Sequence, residues 1–212
     1  MPIPEPLERR KHRDALRALM NHVARLDDPE HGFDSDQWKM HNIKILPMDL
    51  DRKSGNAPIF FTPSPTSVLL NPDADVGDRP FVGMTKHKYP EYLAMFAYHI
   101  KGPSYPHVKA VIYNNLNGAD GRILRGEAMI ALELSGAQLR LSSFMGHMIA
   151  PVLLFSFMGP QHARLIEAYF DGTSLVMRPT NLFDFRTKDE AVLKTFAQWH
   201  FGGPKGDTTA LL

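Results

Sequence analysis

The 212 residues exceed what one small hydrophobic core needs but fall short of two comfortable domains, so we expect one domain with an N-terminal embellishment. Lys and Arg total 24 against 23 for Asp and Glu, and the resulting charge of +1 excludes a global field that would recruit nucleic acid or a membrane. The absence of cysteine excludes a disulfide framework and a thiolate metal site.

The N-terminus does not have the layout of an export signal. Residues 1–6 lack a basic and then apolar pattern, and no apolar run approaches the roughly 20 residues needed to span a bilayer. Together with the absence of cysteine, this predicts an intracellular protein, cytoplasmic or nuclear, without a membrane partner.

The first predicted element is an amphipathic helix behind a short arm. Residues 1–8 contain three prolines, which remove backbone hydrogen bonds and predict a flexible arm. From Arg9 onward one helical face is apolar, through Leu16, Leu19, Met20, Val23 and Leu26. Basic residues at 9–13, with Arg17, occupy the opposite face, where they can contact phosphates or form an ordinary solvated surface.

The stretch between residues 27 and 88 is rich in proline, aspartate and glycine. Short strands are predicted at 43–48, 58–61 and 68–70. The acidic residues 71–80 predict an exposed loop. Pro90 suits the first turn of a further helix, which Gly102-Pro103 would end. One face of that helix would carry Leu93, Phe96, Ala97 and Ile100.

A strand, a turn and a helix begin the predicted core. β-branched and aromatic residues predict a strand at 108–113, and residues 114–121 have strong turn chemistry. The next helix, at 123–139, places Glu127 on its apolar side. A carboxylate in that position is costly unless it meets a hydrogen-bond donor, a cation or a metal.

Three strands in hairpin order follow, at 152–158, 162–171 and 174–178. The first is a continuous apolar run, which is typical of a central strand that is buried on both faces. The second alternates, so His162 and Arg164 face one way and Glu167 faces the other.

A last helix completes the predicted domain. A capping box at 187–190 starts this helix, which runs to residue 201, and residues 202–212 predict a flexible tail. The elements predict a single α/β or α+β domain over residues 9–201, with a mixed β-sheet flanked by helices. Within it, residues 9–104 form an irregular N-terminal extension and residues 105–201 form the core.

The order helix, three strands, helix over residues 121–201 resembles the core of the restriction-endonuclease-like superfamily, the PD-(D/E)xK nucleases. In that family an acidic residue near the start of a helix, a Pro-Asp and a Glu-x-Lys together bind a divalent metal and position the attacking water. Here Glu127 matches the helix acid, but Val152 replaces the aspartate. Tyr169 stands two residues after Glu167, in place of the lysine. Because valine cannot coordinate Mg²⁺ and tyrosine lacks the lysine's charge, the resemblance implies a degenerate core that needs no metal or cofactor.

Such a core favours a non-catalytic binding or regulatory module that contacts a protein or a polyanion. Its predicted anion-binding residues are Arg140, Arg164 and Arg178, supported by His162 and the basic first helix. The alternative is that these residues are ordinary charges at the rim of the sheet. The many methionine and phenylalanine side chains fit a core, and they leave a homo-oligomer open.

The second functional hypothesis is a cofactor-free enzyme that acts on a small metabolite by general acid and base chemistry. Its predicted catalytic residues are Glu127, His147, His162 and Glu167. On a regular strand His162 and Glu167 point to opposite faces, so they cannot act as a direct pair.

Overall fold

A mixed β-sheet flanked by helices organises the chain. The computed structural model describes residues 5–26, 31–65, 92–100, 105–159 and 161–211. The helices are α1 (Leu7–Ala24), α2 (Ser35–Lys39), α3 (Arg125–Arg140) and α4 (Glu190–His200), with a short 3-10 helix at Ser142–Phe144. The strands are β1 (Gly32–Asp34), β2 (Ile43–Ile45), β3 (Phe61–Thr62), β4 (Tyr92–His99), β5 (Val108–Asn117), β6 (Arg122–Leu124), β7 (Val152–Gly159), β8 (His162–Phe170), β9 (Leu175–Pro179), β10 (Phe183–Asp184) and β11 (Gly203–Pro204).

The main sheet has seven strands in the order β2-β9-β8-β7-β5-β4, with β10 also paired to β8. β5 runs parallel to β7, and α3 connects them, so these three elements form a βαβ unit. β7, β8 and β9 form an antiparallel meander, as the hairpin signals predict. The predicted α/β domain with a mixed, helix-flanked sheet is therefore confirmed.

Both faces of β7 are covered. Val152 and Leu154 belong to a core that includes residues of α1 and α3. Leu153 and Phe155 belong to a second core that includes Phe196 of α4. The continuous apolar run at 152–158 is thus a central strand buried on both sides, as its composition predicts.

Helix α1 packs on α3 through its apolar stripe, which includes Leu16, Leu19 and Val23. Two polar residues of α1, Arg9 and His12, also face inward. The Arg9 guanidinium donates to the carbonyls of Leu139 at 2.5 Å, Phe144 at 3.2 Å and His147 at 3.1 Å. It therefore satisfies carbonyl groups in and just beyond the C-terminal turn of α3, where a cation is favourable.

Lys109 of β5 has the same role at the end of α4. Its Nζ donates to the carbonyls of Trp199 and His200 at 2.8 Å and of Gly202 at 2.6 Å. Burial lowers the pKa of Lys109 to about 7, whereas three carbonyl acceptors favour the ammonium form. The residue joins the centre of the sheet to the helix on its second face.

Several predicted elements differ from the structure. Residues 92–100 were expected to be helical from the spacing of their apolar residues, but that prediction is wrong because β4 pairs antiparallel with β5. Aromatic side chains favour a strand here once a neighbouring strand offers backbone partners. The strand at 108–113 continues to Asn117, and the predicted helix at 123–139 begins at Arg125 because Arg122–Leu124 pairs with β1. The predictions at 68–70, 71–80 and Pro90 lie outside the described residues.

The C-terminal part of the chain also differs from its predicted form. Helix α4 begins at Glu190, and Asp189, not Thr187, caps it by accepting from the backbone of Ala191 and Val192. Beyond α4, β11 pairs with β3, and the carbonyl of Thr208 accepts from the backbone of Met148 and Ile149. These hydrogen bonds to distant segments replace the frayed tail that composition predicts at 202–212.

No helix in the described part of the chain is both long enough and apolar enough to cross a membrane.

We predict that Gly126→Ala destabilises the fold, because α3 approaches β4 closely at this glycine. A Cβ added there would lie 2.5 Å from ring atoms of the buried Tyr92. Overpacking of this kind costs about 1–3 kcal/mol, which urea denaturation can measure. Gly55→Ala is the matched control, since a Cβ there meets nothing within 4 Å. An equal loss in both variants would contradict the steric explanation.

We also predict that His12 makes the free energy of unfolding sensitive to acid. Burial and, after it, the nearby Arg9 lower its pKa to about 4 against the opposing effect of Asp171, and neither ring nitrogen has a hydrogen-bond partner among the described residues. The unfolded chain, with a histidine pKa of about 6.5, therefore binds more protons between these values, and stability falls as the pH decreases from about 6.5 to 4.

His12→Leu should flatten this part of the curve of unfolding free energy against pH. The slope should not vanish in the variant, because burial also lowers the pKa of His107 to about 4 and this residue still makes the unfolding free energy depend on pH. An unchanged slope between wild type and His12→Leu would contradict the prediction.

Candidate anion-binding groove

Glu127 lies in the first turn of α3 and is fully buried. Its Oε2 accepts from the backbone N–H of Leu124 at 2.8 Å, which satisfies a donor at the start of the helix. Arg164 of β8 donates to Oε1 through Nε at 2.9 Å and to Oε2 through Nη2 at 2.5 Å. The same guanidinium donates to the carbonyl of Ala119 at 3.3 Å. The carboxylate of Glu127, which would be costly to bury alone on the apolar side of the helix, is therefore paired with the Arg164 cation.

Glu167 forms a second buried pair on the other face of the sheet. It accepts from Arg178 at 2.8 Å and from the backbone N–H groups of Ile59 at 2.8 Å and Phe60 at 2.7 Å. Arg178 also donates to the carbonyls of Ala57 at 3.1 Å and Asn56 at 2.9 Å. The pair joins β8 and β9 to the segment that precedes β3, and so it closes this side of the core.

Arg164 and Arg178 therefore do not form the predicted anion-binding surface. They expose only 1 % and 5 % of their surface, and each is paired with a buried carboxylate. An external anion would have to enter the core and displace a hydrogen-bonded partner, which is far more costly than binding at the surface. Both sides of the sheet are covered by helices or loops, and this forces the two arginines inward.

The four residues of the enzyme hypothesis do not come together. Glu127 and Glu167 lie on opposite faces of the sheet, and each is hydrogen-bonded to its own arginine. His147 Nδ1 lies 2.7 Å from the hydroxyl of Thr208, within the C-terminal contact. His162 begins β8, where it is half-buried and pairs in register with a residue of β10. No acid and base pair is assembled from this set.

The residues that the nuclease resemblance implies are separated for the same reason. One ion cannot reach two carboxylates on opposite faces of a sheet, because coordination distances are only about 2.0–2.6 Å. Over the residues that the structure describes, no group of three or more His, Asp or Glu side chains is placed to hold a metal ion.

Arg140 is the one predicted anion-binding residue that the structure leaves exposed at the surface. It ends α3 and lines a small groove between α1 and α3, together with Arg13 and Arg17 of α1. The rest of the groove is lined by Asp14, Leu16, Met20 and Gly136. Its cavity volume is about 50 Å³.

The groove exists because the two helices approach closely at Gly136. A Cβ at this position would lie 3.0 Å from Leu16 Cδ2 and 3.6 Å from Arg140 Nη1. The Arg140 guanidinium thus lies along α3 next to Gly136, one turn before its own position. Arg13 and Arg17, four residues apart, share a face of α1, and this spacing is a signal that the sequence contains.

The local charges of the groove differ in how firmly they are paired. Arg17 lies 3.0 Å from Asp14 in an exposed pair, and such pairs contribute about 0–1 kcal/mol. Arg13 lies 2.9 Å from Glu5, and the side chains of this pair keep only 29 % and 17 % of their exposure. Arg17 and Arg140 therefore provide the more accessible positive charge.

Comparisons with family models, with curated proteins and with solved structures found no match for this chain. The resemblance to the nuclease superfamily remains a prediction from the order of elements.

We predict that the Glu127 and Arg164 pair is strongly coupled. Glu127→Gln and Arg164→Met should each destabilise the protein by about 3–5 kcal/mol, because each leaves one buried partner without its counter-charge. The double variant should lose much less than the sum, since no buried charge remains unpaired. Urea denaturation of all four proteins measures the coupling. Additive losses would contradict a direct pair.

Proposed function

We propose that this protein is a non-catalytic binding module that receives an anionic side chain of a protein partner in the groove between α1 and α3. The observation that carries this proposal is the convergence of Arg13, Arg17 and Arg140 on one cavity. Arginine is well suited to such a role, because its planar guanidinium forms paired, charge-assisted hydrogen bonds to carboxylate and phosphate groups.

The apolar part of the groove supports a side chain as the ligand. Leu16, Met20 and Gly136 line the same cavity as the arginines, so a ligand would meet apolar surface beside positive charge. A carboxylate or phosphate on a short carbon stem combines these two properties. Such a group can bury its stem while its charge contacts the guanidinium groups.

The volume of the groove favours binding over catalysis. A cavity of about 50 Å³ is far below the roughly 300–1,000 Å³ of a typical small-molecule site. It accommodates one anionic head group, and a whole metabolite would remain in solvent. The separation of the four candidate acid and base residues likewise gives no support to the enzyme hypothesis.

The charge distribution favours a protein partner over an extended polyanion. The formal charge is only +1, so no long-range field attracts a nucleic acid. Glu8 and Asp14 are exposed on α1 among its basic residues, and they would repel a continuous phosphate backbone. A single anionic side chain in the groove avoids Glu8 and meets only Asp14, whose charge is paired with Arg17. Together with the absence of cysteine, these properties fit a module that works inside the cell.

The test is a titration with inorganic phosphate, followed by NMR of the arginine side chains. We expect the Nε–H signals of Arg13, Arg17 and Arg140 to shift together with one dissociation constant. The variant Arg17→Glu/Arg140→Glu should weaken binding by at least about tenfold, because it removes two charge-assisted contacts.

The matched control is Lys188→Glu/Lys194→Glu, which makes the same change in net charge at exposed positions on and just before α4. α4 packs on the opposite face of the sheet from α1 and α3. An equal loss of binding in the control would contradict a specific groove. Tighter binding of a 20-nucleotide single strand than of an acidic peptide, with a steep salt dependence, would favour a polyanion instead.

A further inference from the structure

Glu5 lies two residues before the first residue of α1 and contacts two arginines of that helix. Its Oε1 lies 2.9 Å from Arg13 Nε, and Arg13 Nη2 donates to its Oε2 at 3.0 Å. Arg9 Nη1 donates to the same carboxylate. The Glu5 side chain keeps only 17 % of its exposure, so water screens these contacts less than it screens a fully exposed pair.

The two arginines that contact Glu5, Arg9 and Arg13, have different structural roles. Arg9 is buried, and its other donors are engaged by carbonyl groups near the end of α3. It belongs to the packing between α1 and α3. Arg13 lines the groove and at the same time contacts Glu5. Of the two contacts that Glu5 makes, therefore, only the one with Arg13 affects the charge that a ligand in the groove would meet.

Asp14 is the other carboxylate close to the groove, but its interaction with its arginine partner is weaker. It pairs with Arg17 at 3.0 Å, and the side chains of Asp14 and Arg17 keep 52 % and 68 % of their exposure. Exposed pairs of this kind are screened by water and salt. The Arg17 guanidinium can turn to a ligand at little cost, whereas Arg13 is held by the more shielded carboxylate.

We propose that Glu5 is an autoinhibitory competitor, a carboxylate of the chain itself that holds Arg13 away from the anionic ligand. This inference rests on the proposed function and adds a mode of regulation to it. An incoming phosphate or carboxylate must share Arg13 with Glu5 or displace it. Any change that neutralises Glu5 or draws it away from α1 then strengthens binding in the groove.

The experiment compares wild type with Glu5→Gln in the titration with inorganic phosphate. Glu5→Gln should lower the dissociation constant by about fivefold, the affinity equivalent of releasing one partly shielded ion pair. Glu8→Gln is the matched control. It removes the same charge only three residues further along the chain, but Glu8 pairs with Lys11 on an exposed face. The control should stay within about twofold of wild type.

A second variant separates competition from a change in the fold. In an Arg13→Gln background, Glu5→Gln should leave the dissociation constant unchanged, because Arg13 is no longer present to be released. An effect that acts through Arg9 and the packing of α1 would persist in that background. Thermal unfolding of each variant identifies any loss of structure.

The outcomes distinguish this inference from the proposed function. If wild type binds phosphate with the expected dependence on Arg17 and Arg140, but Glu5→Gln binds no more tightly, autoinhibition is wrong and the groove stands. If only Glu5→Gln binds measurably, autoinhibition is supported in its strongest form. If neither protein binds, the groove and its competitor are both wrong.

Discussion

The covering of β7 on both faces is the constraint on which the rest of the structure depends. Because α1 and α3 pack on one face and α4 on the other, polar groups that the neighbouring strands carry at this level lie in the core. A buried charge is stable only with a counter-charge and further hydrogen bonds. Arg164 therefore pairs with Glu127 on the first face, and Arg178 pairs with Glu167 on the second. Each pair also joins its strand to a separate segment of chain.

This constraint explains why the charged residues that the sequence suggests as catalytic or metal-binding instead stabilise the fold. Glu127 and Glu167 have the positions that would suggest metal binding or acid and base chemistry, yet each carboxylate already accepts several hydrogen bonds. The ammonium group of Lys109 likewise donates its hydrogen bonds to carbonyl groups at the end of α4. Arg17 and Arg140, by contrast, stay exposed and line the small cavity where α1 and α3 meet at the surface.

Helix α1 divides its basic residues between these two environments. Arg9 and His12 turn inward and anchor the helix, whereas Arg13 and Arg17 border the groove. One helix thus provides both the packing that fixes the position of α3 and the charge beside Arg140. The glycine at 136 lets the two helices approach closely enough for these roles to coincide. The proposed binding in the groove and the stability of the α1 and α3 contact are for this reason physically linked.

The sequence by itself determined the local properties of this protein. The apolar run at 152–158, the alternation at 162–171 and the need of Glu127 for a hydrogen-bond donor, a cation or a metal follow from composition and local periodicity, which depend on near neighbours. Only the tertiary structure decided that residues 92–99 form a strand, because their backbone partners lie in β5. It also decided that Arg164 is buried while Arg140 joins Arg13, since these contacts connect residues far apart in the chain. Burial and pairing of charge are properties of the packed molecule, and no local pattern encodes which distant partner a side chain will meet.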